Sequence, residues 1–449
     1  MTQKLIVAKF GGTSVADFNA MSHSADIIIN NSNIRLVVLS ASARITNILV
    51  SLSEGKDKSN RLYLINKISN IQNSIIYKIK ENNSLKILIN NMIGSIEILA
   101  EKAYRINSES LKDEIVSYGE LMSSIIFVNI LRERRMNVEW FDVRNVMKTN
   151  DNFGCAQPDI NTLSNLVNKY LKPLIIHKIV VTQGFIGSEI QGRTTTLGRG
   201  GSDYTAALLG EALRATRIDI WTDVSGIYTT DPHLVATAKR IDEITFKEAA
   251  EMAIFGAKVL HPSTLLPAAR SNIPVFVSSS KNPEKGGTYV CNKTDTTPLF
   301  RALALRRRQT LLNLRSLNIF HQLDFLARIT NTLSNHGIYI DLLTSSEVNV
   351  AITFNDSYQS RGINIINNKL LCELSSFCHV NIEDNLSLIA IIGNNLSKAN
   401  GICKMIFGML EPFNLRMIYY GISNYNICFI VSNIDSENII RILHHNLFE

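Results

Sequence analysis

The first ~290 residues alternate short apolar runs with longer amphipathic stretches, and this rhythm constrains the fold more than any other feature of the chain. LIVAKF, RLVVLSA, VEWFD, KIVVTQGFIG, IDIWTD and IPVFVSS read as strands, rich in β-branched and aromatic residues. Between them SVADFNAMSHSADIII, DEIVSYGELMSSIIFVNILRERR and SDYTAALLGEALRAT carry helical periodicity. Strands that are apolar throughout belong in a sheet buried on both faces, because crossover helices cover both sides. Residues 1–292 are therefore expected to form one α/β domain, a mostly parallel sheet sandwiched by helices.

The pattern changes near residue 298. QTLLNLRSL, DFLARITNTLSNH, GIYIDLLTS and VNVAITF give strand, helix, strand, strand; LSLIAIIG, SKANGICKMIFGMLEPF, NLRMIYYG and YNICFIV repeat the order. Such a tandem repeat predicts two ferredoxin-like α+β modules, at 299–384 and 385–449.

Composition removes several function classes. The net charge is +7, but Lys and Arg are scattered, with no run of five, which argues against nucleic acid as a partner. Six cysteines without a C-x-x-C pair suggest reduced thiols and no zinc site, and no H-E-x-x-H occurs. No signal-peptide layout or membrane-spanning apolar run is evident, so a cytoplasmic location is expected.

Four stretches carry candidate chemistry. In KFGGTSVADF a strand ends at Lys9, and Gly11 and Gly12 lead into a helix whose N-terminus welcomes an anion; Ser14 and Asp17 resemble a cap. An ordinary glycine turn with a surface lysine reads equally well. In TTTLGRGGSDYTAALLG, Arg199 lies among Gly198, Gly200 and Gly201, ahead of Ser202 and Asp203. This is an anion nest with a bidentate fork, or a capped hairpin. IDIWTDVSGIYTTDP places Thr222 and Asp223 at the carboxyl end of a strand, where open α/β sheets bind ligands. Tyr228 is then a nucleobase platform or a core aromatic, and Lys258 in FGAKVLHP a ligand cation or a solvated helix end. In SYGELMSS, Glu120 sits on an apolar helix face beside Gly119, which is costly unless a cation meets it. That cation is a protein side chain or a ligand ammonium group.

Together K-F-G-G-T-S-V, S-A-S-A-x-I-T-N, G-E-L-M-S, T-L-G-R-G-G-S-D-Y-T-A and W-T-D-V-x-G-I-Y-T-T-D-P resemble the aspartokinases, in order and over essentially the whole chain. The likeness is strongest to their monofunctional, lysine-sensitive branch; the length leaves no room for a fused homoserine dehydrogenase half. The resemblance implies an amino-acid-kinase fold followed by paired ACT modules, and Mg-ATP-dependent phosphorylation of the L-aspartate side-chain carboxylate. That nucleophile is already ionised at neutral pH, so the task is positioning and charge neutralisation, not general-base catalysis. By resemblance Lys9 and Asp203 are catalytic. Ser40, Thr46, Glu120, Phe185, Arg199, Gly200, Gly201 and Ser202 take aspartate. Lys9, Gly11, Gly12, Thr222, Asp223, Tyr228, His233, Lys258 and Val259 take ATP. His233 stands where the family usually has arginine, and Arg44 where glycine is usual.

The resemblance further implies a lysine effector at Ile319, Gln322, Phe325, Leu326, Tyr339, Ile340, Asp341, Ser346 and Glu347, and a homodimer formed through the ACT modules, with a tetramer open. Ile319, Asp324 and Tyr339 replace the usual Met, Gly and Ser. A branched or bulky side chain at 319 or 339 crowds a packed pocket, and a glycine conformation is strained for Asp324, so lysine inhibition is expected to be weakened or absent. Two other readings stay open: a kinase of the same fold acting on another amino acid, and a catalytically inactive amino-acid sensor.

Overall fold

The computed structural model describes residues 4–256, 260–317, 322–355, 366–421 and 423–449. The chain divides into two compact units. The first comprises Met1–Ile227, Arg240–Ala253 and Lys258–Thr296; the second comprises Tyr228–Lys239, Ile254–Ala257 and Thr297–Glu449.

The strands of the first part of the chain are β1 (Ile6–Phe10), β2 (Ile34–Leu39), β3 (Val138–Phe141), β4 (Ile179–Gln183), β5 (Ile186–Ser188), β6 (Thr194–Thr196), β7 (Arg217–Thr222), β8 (Ile227–Tyr228), β9 (Arg240–Ile241), β10 (Glu243–Thr245), β11 (Val275–Ser279) and β12 (Gly287–Cys291). The helices are α1 (Phe18–Ile29), α2 (Ile45–Ser53), α3 (Lys58–Ile76), α4 (Asn83–Arg105), α5 (Glu109–Glu133), α6 (Ile160–Leu166), α7 (Lys172–His177), α8 (Gly201–Ala212), α9 (Phe246–Phe255) and α10 (Pro262–Arg270). Eight strands form one sheet in the order β10-β12-β11-β7-β1-β2-β4-β3. All neighbours are parallel except β11 and β12. Every residue of β1 is buried, as a central strand covered on both faces requires.

The chain runs on from β1 to its neighbour β2, whereas from β7, on the other side of β1, it runs away to β11, so the strand order reverses there and a crevice opens at the carboxyl ends of these strands. Asp17 begins α1 by accepting from the Ala20 N–H at 2.9 Å. The expected Ser14 cap does not form. Ser14 is buried in a short 3₁₀ turn, and its hydroxyl pairs with Ser280 at 2.7 Å. Helix α5 is long and apolar enough by composition to cross a membrane, but 78% of its apolar window is buried inside the protein.

The second unit contains β13 (Phe300–Ser316), α11 (Gln322–Asn335), β14 (Leu342–Ser345), β15 (Asn349–Asn355), α12 (Asn368–Ser375), β16 (Cys378–Gly393), α13 (Ile402–Leu410), β17 (Leu415–Tyr419), β18 (Asn426–Ser432) and α14 (Ser436–Phe448). Its six strands make one sheet, β14-β15-β13-β16-β18-β17. The expected strand and helix order is present, but its division differs from a simple tandem. Residues 300–307 pair with the far half of β16, and Leu303 packs with Ile389, Phe429 and Leu443. The remainder of β13 pairs with β15 and the first half of β16, around Leu312, Leu314, Ile329 and Phe354. By pairing and packing, residues 300–307 thus group with the second module, and position 385 falls inside a strand. The kinase span of 1–292 likewise yields 228–239 and 254–257 to the second unit.

Candidate active site

The crevice at the ends of β1, β2, β4 and β7 gathers most of the residues singled out above. Lys9, next to last in β1, is 8% exposed, and its Nζ lies 2.5 Å from Asp203 Oδ1. Asp203 occupies the first turn of α8, a position that favours a carboxylate. Gly200, at φ 73°, opens that helix, and a Cβ there would lie 2.5 Å from the His261 Cβ. Arg199 is exposed between two glycines in the left-handed region, so the loop bends without strain.

Gly11 donates to the Trp221 carbonyl at 3.0 Å, tying the turn after β1 to the end of β7. Ser40 donates through its backbone to Phe10 O at 3.1 Å and accepts the Ser123 hydroxyl at 2.7 Å. Thr46 lies in the first turn of α2, half-buried. Phe185 holds φ 70°, a conformation that costs a bulky residue energy and marks functional sites. Its N–H is held by Thr205 Oγ1 at 3.0 Å.

Glu120 is 3% exposed in the middle of α5. Gly119 lets that helix approach: a Cβ there would meet the Ala41 Cβ at 2.7 Å. Glu120 Oε1 accepts the Ala41 N–H at 3.1 Å, while Oε2 is buried with no hydrogen-bond partner. Burial pushes this carboxyl up to about 8, against the opposing pull of the Ala41 N–H and of Lys9. A side-chain cation at Oε2 was one reading of the sequence; among the described residues none fills it.

The model of the amino acid kinase family matches residues 4–279, and that of an ACT domain matches residues 389–447. Lysine-sensitive aspartokinase 3 of Escherichia coli is 58% identical over 99% of this chain and 100% of its own length. The chain belongs to the aspartokinases, within the amino acid kinase family. Crystal structures of E. coli aspartokinase III, 58% identical, superpose over 99% of this chain and 100% of theirs. The TM-score is 0.91 for the R-state complex with aspartate and ADP, and 0.87 for the T-state complex with lysine and aspartate. As an aspartokinase the chain catalyses the phosphorylation of aspartate.

Other features of this aspartokinase were not singled out from sequence. Ser42 is 1% exposed and its hydroxyl is unpartnered, two residues beyond Ser40 in the same S-A-S stretch. His261 packs against Gly200, and its Nδ1 lies 2.7 Å from Ser263 Oγ. Burial, and then the charge of Arg199, lower its basicity. Gly184 is indispensable sterically, since a Cβ there would stand 2.6 Å from the Ser202 Cβ. The sequence signal for these positions is a serine, a histidine or a glycine near a recognised stretch.

Thr222 and half-exposed Tyr228 flank the Gly226 turn, whereas Tyr228 and exposed His233 belong to the second unit. Lys258, Val259 and Ile319 lie outside the described residues. Among the effector candidates, Gln322 opens α11, Leu326 is half-buried and Phe325 is a core residue stacked edge-on against Phe377. Tyr339, Ile340, Ser346 and Glu347 are exposed. Asp341 is ion-paired with Arg306 at 2.6 Å. The strain expected at Asp324 is absent: the residue is in the first turn of α11, outside the left-handed region, where an acid is favourable.

Proposed function

We propose that the chain moves the γ-phosphoryl group of ATP onto the side-chain carboxylate of L-aspartate, giving 4-phospho-L-aspartate for lysine, threonine, methionine and diaminopimelate biosynthesis. The observation that carries the residue assignment is Glu120, a buried carboxylate with one oxygen unpartnered and Lys9 nearby. A free amino acid answers it, because its ammonium group fills the place at Oε2 and its negative end faces the cations. Arg199 takes the α-carboxylate as a fork, while Ser40, Thr46, Phe185, Gly200, Gly201 and Ser202 complete the pocket.

Lys9 neutralises the phosphoryl group in transfer, Gly12 brings a backbone amide to it, and Gly11, its own N–H held by the Trp221 carbonyl, leaves room beside the Lys9 Nζ. Asp203 holds Lys9 in place. Asp203 and Asp223 offer the hard oxygen ligands that Mg²⁺ accepts, and the ion, when bound with ATP, offsets phosphate charge. Thr222, Asp223, Tyr228, His233, Lys258 and Val259 hold the rest of the nucleotide.

The E. coli relative is lysine-sensitive by name and has been crystallised with lysine. We extend that sensitivity to this chain, with Asp341 and Glu347 as carboxylates for a cationic effector, and with a cytoplasmic homodimer joined through its ACT modules as the working form.

ATP-dependent hydroxamate formation, run with aspartate and with glutamate, tests the reading. Turnover confined to aspartate, abolished by Lys9→Ala and strongly impaired by Glu120→Gln, is the expected result. Equal turnover of glutamate, or full activity without Lys9, overturns it.

A further inference from the structure

Residues Tyr228–Lys239 leave the kinase sheet and cluster with the second unit. Among the described residues their hydrogen bonds there reach the last helix, α14, the residue after it, and β13. Thr229, 8% exposed, sits 2.9 Å through Oγ1 from His444 Nε2, and its carbonyl accepts the Leu303 N–H. Lys239 Nζ donates to Phe448 O at 2.8 Å, and Arg441 Nε donates to Leu234 O at 3.3 Å. Thr237 hydrogen-bonds Glu449, and Val235 is buried in the cluster containing Ile439 and Leu443.

His444 is fully buried, and an apolar residue would fill its place without needing partners. Its hydrogen bonds specify one arrangement. Glu449 Oε1, 3.2 Å from Nδ1, can only accept while ionised, so Nδ1 carries the proton. The Lys239 N–H donates to the Thr229 hydroxyl at 3.0 Å, and that hydroxyl shares a hydrogen bond with Nε2. The chain Lys239 N–H, Thr229 O–H, His444, Glu449 is satisfied at every member. It fixes the backbone one residue after Tyr228.

We propose that His444 is a positioning residue for the nucleotide, acting through Thr229 on the strap that carries Tyr228 and His233. This rests on the reading above that Tyr228 and His233 contact ATP. In these terms the last helix of the second unit holds the strap in place with no effector required. The aspartate pocket is built from Glu120, Arg199 and Phe185 in the kinase unit, and none of the hydrogen bonds named above includes these residues.

The test uses the full-length enzyme. His444→Leu and Thr229→Val each remove one partner of the bond while keeping bulk, and each is expected to raise KM for ATP about tenfold. The dissociation constant of ADP, measured by calorimetry, should rise in parallel, with KM for aspartate unchanged. His444→Gln, whose side-chain oxygen reaches the place of Nε2, should restore most of the loss. The double variant should lose no more than either single one. Tyr228→Ala serves as the control on the underlying reading. If it leaves KM for ATP unchanged, the strap does not hold nucleotide and both readings fall. If it raises KM for ATP while Thr229→Val and His444→Gln both behave as wild type, or while aspartate and ATP are affected alike, the positioning role is overturned and the first reading stands.

Discussion

Arg306 joins two parts of the regulatory unit: Nη2 meets Asp341 Oδ2 at 2.6 Å, and Nη1 donates to Ile254 O at 3.0 Å. The Arg306 and Asp341 side chains are 10% and 19% exposed, so the pair is largely shielded from solvent. Burial raises the Asp341 carboxyl and Arg306 pulls it back. An effector ammonium group approaching Asp341 therefore competes with a resident guanidinium. Arg306→Gln should lower the lysine concentration for half-inhibition severalfold, read from inhibition curves at fixed aspartate. An unchanged or higher value removes Arg306 from the effector's path.

Glu120 makes the ligand-free protein sensitive to pH in an unusual direction. Its folded value of about 8 lies above the ordinary 4.5, so the folded state holds a proton the unfolded state releases. The associated stability is complete below about pH 4.5 and is lost as pH rises through about 8. Glu120→Gln should flatten this decline in denaturant titrations. Aspartate, whose ammonium group favours the ionised carboxylate, should release a proton on binding below pH 8 in the wild type. Calorimetry in buffers of different ionisation enthalpy reads that proton directly, and its absence would falsify the assignment of Glu120 to the ammonium group.

Arg44 caps α2 at φ 75° and ψ −21°, a left-handed conformation that costs a residue with a Cβ about 1–2 kcal/mol. Glycine escapes this cost but gives back part of it through the freer unfolded chain. Arg44→Gly should thus raise stability by up to about 1 kcal/mol, whereas Arg44→Ala should raise it little. Urea unfolding of the three proteins decides the matter, and a less stable glycine variant contradicts the strain.

Gly184→Ala should cripple the enzyme without unfolding it. The added methyl group would stand 2.7 Å from Ser202 Cα, so the start of α8 must shift, and Asp203 with it. Mispositioning of Asp203 should cost at least about tenfold in kcat/KM, with an unchanged far-UV spectrum. Wild-type rates would mean that α8 absorbs the methyl group without disturbing Lys9.

The parts legible in sequence were those written in local pattern. β1, β2, β4 and β7 announce themselves as apolar runs because both their faces are buried, and Lys9, Glu120 and Asp203 stand in stretches that are ambiguous singly and specific in combination. What stayed hidden was pairing at a distance. The alternation in QTLLNLRSL identifies a strand at 309–317, but nothing in it says that the strand begins at Phe300 or that 300–307 pairs with 387–393, outside its own module. The orphan oxygen of Glu120 was anticipated as a burial problem, yet the absence of a protein partner emerges only in three dimensions. His444 reads as an unremarkable histidine near the end of the chain, because its partner Thr229 is 215 residues away. Asp324 misled for the opposite reason: comparison with a glycine suggested strain, while the helix beginning at Gln322 turns the same position into a good one for an acid.

The two long strands β13 and β16 have a consequence for how such an enzyme can be recombined. Each contributes one half to each ACT module, so the first module, 309–385, is an insertion within the second, which is split between 300–307 and 386–449. A relative's first module cannot be grafted in by a single crossover; the exchange needs a junction inside both strands, in register across their bulges. Exchanging both modules together avoids these two internal junctions.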